Sequence, residues 1–221
     1  MRILHVSDTH GVPPAPSVPP EDFDVIVHSG DLMPNRSFGN RAVEELFQPA
    51  WMAAKVLAFP DAWRGKPLLF CPGNHDFIDP TPFLREAGFD ARSIANDLHV
   101  VDGVRFWGHP WTPTFCEWNW MCSPEGMAEH LRPVAELMKR GGVDVLVSHG
   151  PAYAILDKND IGEKCGCKVL RDVLREAEAP PQIHLHGHIH ESAGVKMLHR
   201  MKRPVFVSNA ATTQRIVTVK R

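Results

Sequence analysis

The chain has 221 residues, 43% of them hydrophobic, and a formal net charge of −2. That length and apolar content suit a single domain over residues 1–221 with a sizeable core. The near-neutral balance, with no run of clustered Lys and Arg, excludes a strongly basic nucleic-acid-binding surface, and no stretch approaches the roughly 20 apolar residues of a membrane helix.

Residues 2–7 read as a first strand, and the chain runs into it with neither an apolar signal core nor a small-residue cleavage site, so a cytoplasmic location is expected. Residues 11–20 are proline-rich and read as a stiff loop, followed by a β-run at 24–29. Apolar residues at Val43, Leu46, Phe47, Ala50, Trp51 and Ala54 predict a helix over 42–59, with Pro49 kinking or splitting it. A strand follows at 67–71, then a hairpin of residues 98–101 and 104–107 about Asp102-Gly103. A helix at 124–139, a buried strand at 143–148 and a helix at 167–179 come next; in the last, Val169, Leu170, Val173, Leu174 and Ala177 mark one face. Residues 183–186, 194–197, 205–208 and 215–219 read as strands of a C-terminal meander. Interleaved strands and helices favour a layered α/β fold with mixed sheets. The five cysteines are odd in number and irregular in spacing, so free thiols are expected; Asn35-Arg36-Ser37 matches a glycosylation sequon by chance.

Polar residues of ligand type cluster where predicted strands end. They are Asp8-Thr9-His10-Gly11, Gly30-Asp31, Gly73-Asn74-His75-Asp76, His149-Gly150-Pro151 and Gly187-His188-Ile189-His190. Ligands of α/β sheets bind at the carboxyl ends of strands, so five such ends would assemble one polar site. Residues two apart in extended backbone face one way, which would aim Asp8 with His10 and His188 with His190 at a common centre. The donors are carboxylate, imidazole and amide without cysteine, a set suited to Mn²⁺, Fe or Zn²⁺. Two divalent ions held by two carboxylates and neutral imidazoles keep residual positive charge, which attracts a phosphate and acidifies water.

In this order the five motifs resemble the calcineurin-like metallophosphoesterase superfamily, over most of the chain from Asp8 to His190. The resemblance implies a four-layer α/β/β/α sandwich with two central mixed sheets. It implies that Asp8, His10 and His190 hold one metal, that Asn74, His149 and His188 hold the other, and that Asp31 bridges them. It further implies that His75 binds phosphate oxygens with Asn74 and protonates the leaving group, and that Asp76 orients His75 through a hydrogen bond. The activity implied is phosphate ester hydrolysis by metal-bound hydroxide. Gly108-His109-Pro110-Trp111-Thr112-Pro113, Gly166-Cys167 and Ser208-Asn209-Ala210 are similar to the small metallophosphoesterase-domain phosphodiesterases. That subfamily typically has Ser at position 109 and sometimes Gly at 188; His188 here implies an intact dinuclear centre, with Mn²⁺ the expected metal.

His5, His28, His184 and His186 fall within strands and are expected to be packed rather than ligating. Trp111, Phe115, Trp118 and Trp120 either stack a base or aryl group, with Trp111 a substrate contact, or pack under a long loop, the latter favoured. Segments 111–122 and 153–167 are expected to overhang the site; they hold only Lys158 and Lys164 as cations, which favours a diester over a dianionic monoester. The substrate expected is a small, nucleotide-like phosphate ester, with no stable nucleic-acid or membrane partner. A nuclease, or a non-catalytic scaffold of the same fold, is the alternative.

Overall fold

Short strands with apolar residues on both faces need cover on both faces, and this requirement sets the architecture. In β1 (Arg2–Val6), Ile3 turns to one buried core while Leu4 and Val6 turn to another. The structure, a computed structural model, describes residues 1–13 and 18–220. Part of the proline-rich loop expected at 11–20 therefore lies outside the described residues.

Two sheets carry the fold. In the first, β1, β2 (Val25–His28), β3 (Pro67–Phe70) and β4 (Asp90–Ser93) run parallel, and β13 (Gln214–Thr218) lies antiparallel on the β1 edge. In the second, β6 (Val104–His109), β9 (Val145–Ser148), β10 (Ile183–His186) and β12 (Val205–Asn209) run parallel; β5 (Leu98–Val101) and β11 (Gly194–Leu198) are antiparallel edges. Ile3, Val25, Val27 and Leu69 of the first sheet pack on Phe106, Val145, Val147, Ile183 and Leu185 of the second. The outer face of the first sheet packs with α1 (Arg41–Lys55) and α2 (Thr81–Glu86) through Met52, Leu84 and Phe70. α3 (Pro124–Lys139) and α4 (Lys168–Glu176) cover the second through Leu131, Val134, Leu170 and Leu174. The layers are thus α/β/β/α, and among the described residues no helix is long and apolar enough to cross a membrane.

Several expectations fail for physical reasons. α1 continues through Pro49 instead of splitting there, from an Asn40 cap that accepts from the Val43 N–H. Much of its apolar stripe turns from the core: Leu46 is 80% exposed and Val43 is exposed, Trp51 packs against the core, and Glu44 and Gln48 are buried. The C-terminal strands are not a meander, since β12 pairs in parallel with β10 and β13 crosses to the first sheet. α2, β4 and the two-residue pair β7 (Thr112–Pro113) and β8 (Met121–Cys122) lacked a periodic signal because they are short, and β4 is mostly polar. All five cysteines are free.

Candidate metal centre

Parallel strands put their carboxyl ends on one edge, and here both sheets deliver to it. β1 runs into Asp8 and His10, β2 into Asp31 and β3 into Asn74 and His75; from the other sheet β9 runs into His149 and β10 into His188 and His190. Buried polar bonds join the sheets just behind this edge. His5 on β1, fully buried, reaches Ser29 Oγ at 2.9 Å and Ser208 Oγ at 3.0 Å in the opposite sheet.

The backbone at the ligands is not extended, contrary to the alternation argument. Asp8, His10, Asp31 and His188 have φ of 55°, 44°, 56° and 70°. Left-handed backbone is uncommon outside glycine, and such outliers collect at functional sites. It turns each side chain off the strand axis toward a common point. Close approach does the rest: a Cβ on Gly187 would collide with Ser7 and the Asp8 carboxylate.

Asp31 lies at the centre of the donor set. Its Oδ1 accepts the His75 N–H at 2.8 Å, which leaves Oδ2 3.3 Å from His149 Nε2 and 3.9 Å from both His10 Nε2 and His75 Nε2. His149 Nδ1 faces the Ser29 carbonyl at 2.9 Å, so one proton sits there and Nε2 is the nitrogen that would ligate once it is deprotonated. That Nε2 is 2.9 Å from Asn74 Oδ1 and 3.1 Å from His188 Nδ1. On the other side His190 Nε2 is 3.3 Å from Asp8 Oδ1, and Asp8 also accepts the His188 N–H. Three sets of donor atoms each lie within 4.8 Å of one another: Asp8, His10 and His190; Asp31, His149 and His188; and His10, Asp31 and His75. The structure thus brings together all seven residues expected as ligands, with His75 beside them.

Electrostatics favour a cation in this space. Burial opposes protonation of His149, yet Asp31 and Asp8 outweigh it and lift the imidazole to about 9. Burial also opposes ionisation of Asp31, but His149, then His75 and His10, hold it below the usual carboxylate range. Burial keeps His188 at about 3 and lowers His75, while the Asp8 carboxylate raises His190. Two buried carboxylates that pull a proton onto an imidazole would bind a divalent ion in the same field. The donors are oxygen and imidazole nitrogen with no competing Lys or Arg among the described lining residues, so they fit the metals expected.

Asp76 does not orient His75. Its carboxylate accepts four backbone N–H groups, from Asp31, Leu32, Met33 and Gly73, at 2.8–3.0 Å. Burial, then Asp31, pushes it up to about 7 against the pull of those donors. It therefore ties the β2 and β3 loops together. His75 Nδ1 pairs instead with Asn35 Oδ1, whose amide also donates to the His75 carbonyl at 3.2 Å. Gln48 of α1 donates to the same carbonyl at 2.7 Å.

Above the donors opens a cleft of about 760 Å³, walled by residues 113–115 and by Asn159, Glu163 and Cys165. Trp111 is not in this wall. It stacks on His130 of α3 at 4.0 Å and donates to Asn96 Oδ1, so packing is the reading that holds. Trp118 and Phe115 are the aromatics near the site, 4.1 Å from the His75 ring and 5.6 Å from the His188 ring. Asn119 fixes this segment by donating its backbone N–H to the Asn74 carbonyl and its amide to the Asp76 carbonyl. His184 and His186 are packed as expected: His184 Nε2 is 2.7 Å from Ser148 Oγ, and both are fully buried.

A two-sheet sandwich with a carboxylate–imidazole centre where its parallel strands end is the architecture of the metallophosphoesterases. The family model for calcineurin-like phosphoesterases matches residues 1–192, and the chain belongs to that family. It is 37% identical over 227 residues to metallophosphoesterase domain-containing protein 1 of Homo sapiens, covering 88% of this chain and 62% of that protein. It is 27% identical over 213 residues to the probable rhamnogalacturonate lyase C of Emericella nidulans, covering 90% of this chain but 18% of that protein. The chain thus spans less than two thirds of the length of these relatives. Among solved structures, TT1561 of Thermus thermophilus superposes with a TM-score of 0.61 at 14% identity over 99% of both chains. GAP50, the anchor in the inner membrane complex of Plasmodium, does so with a TM-score of 0.50 at 13% identity over 96% of this chain and 72% of that one.

Proposed function

We propose that the chain is a dinuclear metal-dependent phosphodiesterase acting on small phosphate esters. The observation that carries this is the position of Asp31 Oδ2 between two donor sets, one from β1 and the segment after β10, the other from β3, β9 and β10. Asp8, His10 and His190 would hold one ion and Asn74, His149 and His188 the other, with Asp31 shared. Two Mn²⁺ ions (Fe or Zn²⁺ fit the same donors) would neutralise phosphoryl oxygens and make a nucleophilic water available near neutral pH.

The remaining work falls to the chain's own groups. Asn35 holds the His75 ring with Nε2 toward Asp31 Oδ2 and the cleft. In its protonated form that nitrogen hydrogen-bonds a phosphate oxygen and hands its proton to the departing alkoxide or aryloxide. Trp118 covers one face of the ring and limits its rotation. No Lys or Arg is among the described residues lining the cleft, while Glu163 and Glu191 are. A dianionic monoester would meet carboxylates there without fixed cations, whereas a diester carries one negative charge and two organic substituents. Diester hydrolysis is therefore the better match.

The test compares bis(p-nitrophenyl) phosphate with p-nitrophenyl phosphate on protein stripped with chelator and reloaded with Mn²⁺, Fe²⁺ or Zn²⁺. The expected result is loss of activity on stripping, recovery with Mn²⁺, about two ions per chain, and a higher kcat/KM for the diester. Full activity without metal defeats the reading. A monoester preference defeats the diester assignment, cleavage of short single-stranded DNA in preference to either ester makes it a nuclease, and inertness with metal bound makes it a scaffold.

A further inference from the structure

A second cavity, of about 540 Å³, abuts the metal cleft, and the two share Pro113, Thr114 and Cys165 as a common wall. Its chemistry is the reverse of its neighbour's. The first cleft is lined by Glu163 and Glu191; the second is lined by Lys164 and Lys168 around Tyr153. Residues 163 and 164 are consecutive, so the chain turns a carboxylate to one side of the shared wall and an ammonium to the other.

Three cations converge on one ring. Lys164 Nζ is 5.5 Å, Lys168 Nζ 5.3 Å and Arg171 Cζ 5.4 Å from the Tyr153 centroid. Arg171 is neutralised by Asp172 at 2.8 Å. Among the described residues neither Lys164 nor Lys168 has a carboxylate within ion-pair distance. Like charges gathered along a cavity lining repel, and an anion between them relieves that repulsion.

We propose that this second cavity is the subsite for the remote part of the substrate, and that it takes an oxyanion. The inference rests on the diesterase reading. A diester has two organic arms, and one of them can cross the wall at Pro113 and Thr114. The substrate class is then a small phosphodiester bearing a second anionic group, such as a terminal phosphate, away from the scissile phosphorus. The metal centre engages the diester and Lys164 and Lys168 the terminal group.

The experiment measures cleavage of the internal diester bond in the dinucleotides TpT, pTpT and TpTp by Mn²⁺-loaded protein, with bis(p-nitrophenyl) phosphate in parallel. The expected kcat/KM for the better of pTpT and TpTp exceeds that for TpT roughly fivefold or more, the worth of one or two partly exposed ion pairs. The ratio should fall toward one in high salt, where exposed charges are screened. It should also fall to about one in Lys164→Gln/Lys168→Gln, because TpT in the same variant corrects for any general loss. A wild-type ratio of one or below, or a ratio indifferent to both salt and substitution, overturns the subsite. Hydrolysis of bis(p-nitrophenyl) phosphate with a ratio of one removes the subsite alone. No hydrolysis of any diester removes the diesterase reading and the subsite with it. The salt series needs no variant, so a misfolded double substitution leaves the test decisive.

Discussion

Asn35 can hold His75 in one orientation but cannot act as its base. Its amide oxygen accepts from Nδ1 and its NH₂ donates to the His75 carbonyl, so ring and backbone are clamped by one side chain. His75→Gln is expected to lower turnover by about 10²–10⁴, the range for general acid–base groups, with metal content unchanged. Asn35→Ala should cost roughly 10–100-fold in kcat, as loss of an orienting partner does, with little change in KM. Asn35→Asp should recover most of it, since a carboxylate accepts the same proton. The double variant Asn35→Ala/His75→Gln should be no worse than His75→Gln alone, and additive losses would mean that Asn35 acts elsewhere. His149 offers a second test at this scale. Its pKa stands at about 9 without metal, so it is protonated at pH 7.5 and must give that proton up to ligate. Mn²⁺ loading at pH 7.5 should release roughly one proton from this group, and the release should fade as pH rises through 9. Calorimetry in buffers of different ionisation enthalpy measures it; no release at pH 7.5 would remove His149 from the ligand set.

The helix α1 shows where an element departs from its own pattern. Apolar residues at Val43, Leu46, Phe47, Ala50, Trp51 and Ala54 mark a stripe by periodicity, yet the fully buried residues are Glu44, Gln48 and Met52, with Trp51 partly buried beside them. The reason is the loops beside it. Glu44 accepts from the backbone N–H groups of Arg36 and Ser37, and Gln48 bonds the His75 carbonyl and the Phe77 N–H. The helix thus satisfies the backbone of two metal-site loops that cannot satisfy themselves. Glu44→Ala should destabilise the fold by about 1–3 kcal/mol, the cost of leaving buried donors unpaired. Leu46→Lys, at a position 80% exposed, should change stability by less than about 0.5 kcal/mol. Urea melts of the two variants separate the assignments, and reversed magnitudes would restore the apolar stripe as the buried face. What was legible follows from the same contrast. Strands such as 143–148 and 183–186 announce themselves because they are short runs rich in Val, Ile and Leu that end near a glycine. The donor residues stand out because chemistry limits which side chains can serve. Asn35, Asn119 and Gln48 carry no such mark, since an amide in a loop reads as a turn and one on a helix as a solvated residue until its partner is known. Trp111 packs on His130, the reading favoured for it, whereas nothing in the sequence marked Trp118 as the aromatic that reaches His75.

Across the whole molecule, buried neutral histidines add polar ties between elements to the three hydrocarbon cores. His5 joins the two sheets through Ser29 and Ser208, His184 bonds Ser148, and His28 meets Thr9 Oγ1 at 3.2 Å. Burial holds His28 and His186 at about 4 and His109 at about 3, and pushes His5 and His184 down as well. An unfolded histidine titrates near 6.5, so below that pH the unfolded chain binds protons that the folded one refuses. Stability from these groups is complete above about pH 6.5 and is lost as pH falls toward their folded values. For a group at 4 the loss at pH 5 is about 2 kcal/mol, and the other buried histidines act in the same direction, a sizeable effect against ordinary stabilities of about 5–15 kcal/mol. His149 has the opposite sign. Its contribution is present below 6.5 and disappears as pH rises through 9 in metal-free protein. The melting temperature of chelator-treated protein should therefore peak between about pH 6.5 and 8. It should fall steeply on the acid side and gently on the alkaline side. Chelation removes the competition between metal and protons, so the ligand histidines titrate in this measurement too, and a variant at a structural histidine separates the two groups. The substitution His184→Asn should flatten the acid limb, even if it lowers the maximum, because the group that unfolding would protonate is gone. An acid limb equally steep in that variant, or a melting temperature constant from pH 5 to 7, would show that the buried histidines do not set the stability of this fold.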